Sequence, residues 1–144
     1  MRHALSLSFG FATFLGFCGI APCLSAQSAQ QPHAKVIPLE PAGRSELPLL
    51  QGPPESVTMR SGLIVLQSGK SVGRHNTGLH EEILIVLEGK GTMSFADGST
   101  LPVESGHAVY CPPRTEHNVT NSGTALLRYV YVVASVPDSS QSHP

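Results

Sequence analysis

The chain has 144 residues, and its 9 basic and 10 acidic side chains nearly cancel to a formal net charge of −1. This length suits one domain, and so balanced a charge, without a basic run, argues against nucleic acid or an anionic membrane surface as a partner. The 14 glycines and 12 prolines separate short runs that are rich in β-branched side chains. Such punctuation predicts an all-β domain.

The first 26 residues have the features of an export signal. A weakly positive start, Met1-Arg2-His3, precedes an apolar stretch over 4–20 without an acidic residue, and Leu24-Ser25-Ala26 then leads into a polar run. We therefore predict a signal peptide over 1–26 and an exported protein, periplasmic or secreted. The alternative is an uncleaved membrane anchor, because the apolar stretch approaches spanning length. After cleavage no stable membrane insertion is expected.

Two segments flank the expected domain. Residues 27–56 are rich in Gln, Pro and Glu, and their short apolar patches contain prolines that permit edge strands at best. We interpret this segment as an extended N-terminal arm, and residues 137–144 as a disordered tail. Removal of the signal peptide leaves Cys111 as the single cysteine. It can form no internal disulfide, and we interpret it as a small buried apolar residue.

Strand signals recur at intervals of about ten residues over the domain, 57–136. No segment has helical periodicity, and Asp97-Gly98 is a strong hairpin signal. Many short strands with regular turns indicate a sandwich or barrel, and this length suits a double-sheet jelly-roll β-barrel. The predicted strands are Ser56–Met59, Leu63–Gln67, Glu81–Leu87, Gly91–Ala96, Thr100–Val103, His107–Cys111, His117–Thr120 and Leu126–Ala134.

Two histidines and a carboxylate are candidates for a metal site. Alternation places Glu82, Leu84 and Val86 on one face of their strand. If His75, Glu82 and His117 meet at one point, they form a two-histidine, one-carboxylate site with coordination positions open for substrate, water or dioxygen. Imidazole and carboxylate suit Fe, Mn, Ni, Cu or Zn, and the ligand set does not choose among them. We predict a divalent transition metal here and a small-molecule ligand beside it.

The spacing of these residues resembles the two sequence motifs of the cupin superfamily, in its small single-domain form. The resemblance covers about residues 57–134, with Asp97-Gly98 as the turn between the motifs and Arg114 in place of an inner glycine. It implies a cupin barrel in which His75, Glu82 and His117 are metal ligands. The residues that match are Gly69, His75, Glu82 and Gly89 in the first motif, and Gly106, Pro112, His117 and Asn121 in the second.

Thr77 departs from the family pattern, because it occupies the place of the second histidine of the first motif. Three interpretations stay open. The metal binds through His75, Glu82 and His117 alone, with more water around it. His80, which lies between Thr77 and Glu82, replaces the missing imidazole. Or the site has lost its metal and has become a pocket for an organic ligand.

The fold by itself does not name a reaction, because it hosts enzymes, storage proteins and sensor modules. The favoured function is an exported metal-binding protein that acts on a small molecule, and any enzyme activity would be that of a metal-dependent dioxygenase or isomerase-type cupin. The alternatives are a non-catalytic binding module for a small ligand, or a structural dimer with a degenerate, metal-free site. We expect a homodimer, paired through Ile83, Ile85 and Leu87. Three tyrosines on predicted strands are interpreted as core or interface residues: Tyr110, Tyr129 and Tyr131.

Overall fold

The computed structural model describes residues 31–135, so the predicted signal peptide and the predicted tail at 137–144 lie outside the described residues. Within 31–135, no helix is both long and apolar enough to cross a membrane. The described part consists of strands joined by turns. The strands are β1 (Glu46–Gln51), β2 (Arg60–Leu66), β3 (His80–Glu88), β4 (Lys90–Phe95), β5 (Thr100–Glu104), β6 (Ala108–Cys111), β7 (His117–Thr120) and β8 (Leu127–Ser135).

Two antiparallel sheets make up the domain. The larger has the order β1-β2-β8-β3-β6 and the smaller has the order β5-β4-β7. Each sheet turns one face inward, and the inward apolar side chains form one core. This architecture confirms the predicted all-β jelly roll. The core consists of Ile64, Leu66, Leu84, Val86, Met93, Val103, Val109, Val119, Leu127 and Tyr129.

Alternation along β3 places a charged residue in line with the core. Leu84 and Val86 are buried at 1% and 3% exposure, and Glu82, two residues earlier on the same face, is 5% exposed. On the other face, Ile83, Ile85 and Leu87 are 38%, 45% and 41% exposed. The pattern predicted from the sequence is therefore observed on this strand, and it directs the Glu82 carboxylate into the barrel.

The predicted strand Ser56–Met59 is wrong, because this segment turns instead and β2 begins at Arg60. The amides of Glu55 and Ser56 both donate to the Gly52 carbonyl, and the Ser56 hydroxyl donates to the Met59 carbonyl. These local hydrogen bonds take groups that a strand would use in a ladder.

The segment before this turn contributes an edge strand. β1 pairs with β2 only, and its register shifts between Pro48 and Leu50. An edge position tolerates Pro48, because the missing amide leaves no central ladder bond unmade. The larger sheet thus includes a strand from the proline-rich segment that precedes the predicted domain start at residue 57.

Two turn glycines form a matched pair for a test of backbone constraint. Both have positive φ, +80° at Gly89 and +84° at Gly98. A Cβ on Gly89 would collide with the backbone carbonyl of Leu126, whereas a Cβ on Gly98 would meet nothing within 4 Å. Backbone atoms cannot move aside as a flexible side chain does. A substitution would therefore cause similar φ strain at both glycines, but only Gly89 lacks room for a Cβ.

We expect Gly89→Ala to lower the free energy of unfolding by roughly 2 kcal/mol more than Gly98→Ala does, because a steric clash adds to the shared φ strain. Urea denaturation of both variants and the wild type measures this difference. Equal destabilisation by the two substitutions would contradict the close approach of Leu126 to β3 and β4.

Candidate metal centre

Three polar side chains lie close together in the lining of a cavity. His75, Glu82 and His117 each offer one ligand atom, and these atoms all lie within 4.8 Å of one another. Glu82 comes from β3 of the larger sheet and His117 from β7 of the smaller one. His75 lies in the segment between β2 and β3. The structure therefore brings together the three residues that the motif spacing indicated.

Backbone hydrogen bonds hold the two histidines side by side. The His75 amide donates to the His117 carbonyl and the His117 amide donates to the His75 carbonyl, both at 2.9 Å. This reciprocal pair is an isolated antiparallel bridge. It sets the two imidazole centroids 4.3 Å apart with an interplanar angle of 60°.

Each imidazole has its Nδ1 occupied by a backbone carbonyl. His75 Nδ1 lies 3.0 Å from the Gly73 carbonyl, and His117 Nδ1 lies 3.0 Å from the Thr115 carbonyl. Since a carbonyl only accepts, Nδ1 carries the proton in both rings, and Nε2 is the nitrogen left with a lone pair in the neutral form. Histidines that ligate metals are oriented in this way.

Glu82 is buried, and one of its carboxylate oxygens lacks a hydrogen-bond donor among the described residues. Its Oε2 is 3.2 Å from His117 Nε2, but the contact is poorly aligned, and no donor among residues 31–135 makes a hydrogen bond to this oxygen. A buried carboxylate oxygen without a partner is costly. The Glu82 carboxylate raises the pKa of His117, against the opposing effect of burial. Two imidazole nitrogens and an unpaired carboxylate oxygen fit a divalent transition metal.

Thr77 borders the cavity, but its hydroxyl is engaged locally. Thr77 Oγ1 donates to the His80 carbonyl at 2.8 Å, and the His80 amide donates back to the Thr77 carbonyl at 3.2 Å. This tight turn places His80 at the exposed first position of β3, outside the residues that line the cavity and outside the three-residue group. The hypothesis that His80 replaces the missing imidazole therefore finds no support in the described structure.

The cavity itself has a volume of about 650 Å³. Its walls are mainly apolar, and the histidines and Glu82 form a polar group within them. An apolar cavity with a few convergent polar groups is typical of small-molecule sites. The apolar lining includes Ile64, Leu66, Leu84, Val119, Tyr129 and Val133.

Cys111 touches the site in a way that its sequence context did not signal. Its Sγ lies 3.1 Å from His117 Nδ1, on the side of the ring away from Nε2. The residue is fully buried, as predicted, and burial raises the pKa of the thiol to about 11. Cys111 therefore stays a neutral thiol packed against a candidate ligand. The cross-strand pairing of Cys111 with Glu82 is what brings it there.

The polar pair at Glu46 and Tyr131 was also missed by the sequence interpretation. Tyr131, interpreted as a core or interface residue, packs against the core and is partly buried. In addition, its hydroxyl donates to Glu46 Oε1 at 3.0 Å, and both residues line the cavity. Tyr129, by contrast, is a core residue at 2% exposure.

Comparison with known proteins identifies the family. The family described as Cupin domain matches residues 62–133, half of the chain. An uncharacterized protein of Methanocaldococcus jannaschii is 31% identical over 71 residues, which are 49% of this chain and 54% of that protein. The chain thus spans about half the length of this curated relative.

Solved structures agree on the fold. A cupin 2 conserved barrel domain protein of Salinispora arenicola superposes with a TM-score of 0.61 at 24% identity, over 75% of this chain and 92% of that one. A cupin family protein of Methanocaldococcus jannaschii, RmlC-like with a double-stranded β-helix fold, gives 0.60 at 20% identity, over 71% and 91%. At such identities the likeness shows the fold alone. The family match and the fold together establish that this chain belongs to the cupin family.

Proposed function

We propose that this cupin binds a divalent transition metal through His75, Glu82 and His117, and that the cavity beside the metal takes a small organic molecule. The observation that carries the proposal is the buried Glu82 Oε2, which no donor among the described residues satisfies, next to two imidazoles whose Nδ1 atoms are already occupied. A cation would satisfy all three groups at once. Fe, Mn, Ni, Cu and Zn are the candidates.

Three protein ligands leave coordination positions for water and for a ligand. Thr77 is compatible with a three-ligand site that holds additional water. Its side chain borders the cavity, and its hydroxyl oxygen retains lone pairs after donating to the His80 carbonyl. When bound, the metal would supply Lewis-acid or oxygen-activating chemistry. The apolar walls would exclude water from a bound molecule, and the imidazoles would keep their orientation through the Gly73 and Thr115 carbonyls.

The biological setting is part of the proposal and rests on the sequence. The apolar stretch and polar boundary within 1–26 support export to the periplasm or medium. Within this setting, any enzyme activity would be that of a metal-dependent dioxygenase or isomerase-type cupin. The second candidate is a non-catalytic module that holds a small ligand, which the same apolar cavity favours.

Metal content tests the site directly. We expect the purified mature chain to retain about one divalent metal per chain after dialysis, and His117→Ala and Glu82→Gln to lose it, because each removes a ligand atom. Glu82→Gln keeps the side-chain shape, so it guards against a variant that merely misfolds. Elemental analysis by mass spectrometry gives the stoichiometry.

His107→Ala is the matched control, because His107 is exposed and outside the cavity lining. Its metal content should equal that of the wild type. Negligible metal in the wild type, with no change in His117→Ala, would contradict the metal-binding proposal. It would favour the interpretation of a metal-free pocket for an organic ligand.

The position of Thr77 permits a gain-of-function test. We expect Thr77→His to raise metal affinity at least tenfold, because the substitution adds an imidazole at the edge of the cavity next to the three ligands. His80→Ala should leave the affinity unchanged, since His80 lies outside the group. Competition titrations with a chromogenic chelator measure both. A marked loss of affinity in His80→Ala would identify His80 as a ligand.

Pairing of two copies is the second element of the proposal. The outer face of the larger sheet exposes four large apolar side chains, Ile83, Ile85, Leu87 and Tyr110, at 38–54% each. Such a patch is typical of a protein–protein contact surface. A second copy of the chain would cover it with an identical patch, as a two-fold interface requires.

We expect Ile85→Glu to convert a dimer into a monomer, because the carboxylate would be buried without a partner in the interface. Leu101→Glu is the control: Leu101 is 43% exposed, close to the 45% of Ile85, but it lies on β5 of the smaller sheet. Light scattering coupled to size-exclusion chromatography gives the masses. A monomeric wild type, or a dimer that survives Ile85→Glu, would exclude this interface.

A further inference from the structure

We propose that Glu46 and Tyr131 form a second recognition point in the cavity, one that selects ligands carrying a hydroxyl or ammonium group. This inference rests on the proposed ligand-binding role of the cavity and names the chemical class of its ligand. Both residues line the same cavity as His75, Glu82 and His117. They lie on strands β1 and β8, so they are separate from the elements that carry the candidate metal ligands.

The position of Tyr131 depends on a glycine in the neighbouring strand. Tyr131 pairs with Gly62 of β2, and a Cβ at residue 62 would come within 2.7 Å of the Tyr131 ring and hydroxyl. The ring therefore lies across β2 where only glycine leaves room for it. This placement lets the hydroxyl reach past β2 to Glu46 on the edge strand β1, at 3.0 Å.

The pair offers acceptors to a ligand. Burial and the hydrogen bond to Glu46 raise the pKa of Tyr131 to about 12, so the phenol keeps its proton and donates it to Glu46 Oε1. The other carboxylate oxygen of Glu46 is available to accept a hydrogen bond from a ligand, because no basic side chain among residues 31–135 forms an ion pair with Glu46. The phenol oxygen also retains a lone pair. A ligand group that donates is therefore favoured over one that only accepts.

Nearby positive charges weaken this preference without pairing with Glu46. Arg60 is close enough to Tyr131 for its charge to oppose the rise in the tyrosine pKa, but within 31–135 it forms no ion pair with Glu46. Lys70 is the lysine among the lining residues, and it is exposed and makes no ion pair with Glu46. Glu46 is itself exposed at the cavity surface, so solvent screens it and the preference is moderate. Glu46 also precedes the family-matched segment 62–133. The recognition point thus combines Tyr131, inside the family-matched segment, with Glu46 on an edge strand that precedes it.

Three isosteric probes test the preference: benzylamine, benzyl alcohol and ethylbenzene share a ring and differ in one terminal group. Affinities for the full mature chain, freed of metal with chelator, are measured by titration of amide chemical shifts at neutral pH, where benzylamine is protonated. We expect the ratio of benzylamine to ethylbenzene affinity to fall three- to tenfold in Glu46→Gln, with benzyl alcohol changing less, because hydrogen bonds to charged groups are the stronger ones.

Glu104→Gln is the matched control, since it removes the same charge from exposed β5, outside the cavity lining. Its ratio should equal that of the wild type. An unchanged ratio in Glu46→Gln, an equal fall in Glu104→Gln, or no binding of any probe would overturn this inference.

Metal content measured on the same preparations separates the two proposals. If the wild type binds metal but Glu46→Gln leaves the ratio unchanged, the recognition point is wrong and the metal site stands. If the wild type binds no metal but the ratio depends on Glu46, the recognition point stands and the metal assignment falls.

Discussion

The reciprocal backbone pair between His75 and His117 is the constraint on which the rest of the site depends. His75 lies outside the named strands, yet its segment is attached to β7 by a series of bonds. The Val72 amide donates to the Val119 carbonyl, and the Asn121 amide donates to the Lys70 carbonyl. The connection between β2 and β3 thus runs beside β7 as an additional, irregular neighbour. Without this attachment, His75 would lie on a free loop and the cavity would lose one wall.

That attachment explains why Glu82 is buried next to two imidazoles. A carboxylate in line with Leu84 and Val86 is unfavourable by itself, because it exchanges water for an apolar core. The attached segment and β7 bring two imidazoles to this carboxylate, and each Nδ1 is fixed by the backbone carbonyl two residues earlier in the chain. The protein therefore holds an electrostatically incomplete group in a fixed geometry. Such preorganisation costs stability in the absence of a cation and favours binding when one is present.

The sequence predicted what depends on local pattern and on motif spacing. Alternation correctly oriented Glu82, and glycine and proline marked most strand ends, because those signals act over a few residues. The predicted strand Ser56–Met59 was wrong. Local hydrogen bonds to the Gly52 and Met59 carbonyls formed instead of a strand ladder, because the segment has no strong apolar pattern. Cys111 against His117 and Tyr131 against Glu46 were not predictable, because each contact depends on cross-strand register between distant segments. His80 stays a prediction: proximity along the chain suggested it as a ligand, and in the structure it lies at an exposed turn outside the three-residue group.

The edge position of β1 has a consequence for how such a protein diversifies. An edge strand has one neighbour, so substitutions in β1 disturb few packing partners and leave the apolar core of the barrel intact. The candidate metal ligands come from β3, β7 and the segment attached to β7, none of which pairs with β1. Under the two proposals, changes at Glu46 would alter which molecule enters, while the candidate metal ligands would stay under their own constraint. The fold places Glu46 and the candidate metal ligands in different parts of the molecule, so substitutions at the one position need not disturb the others.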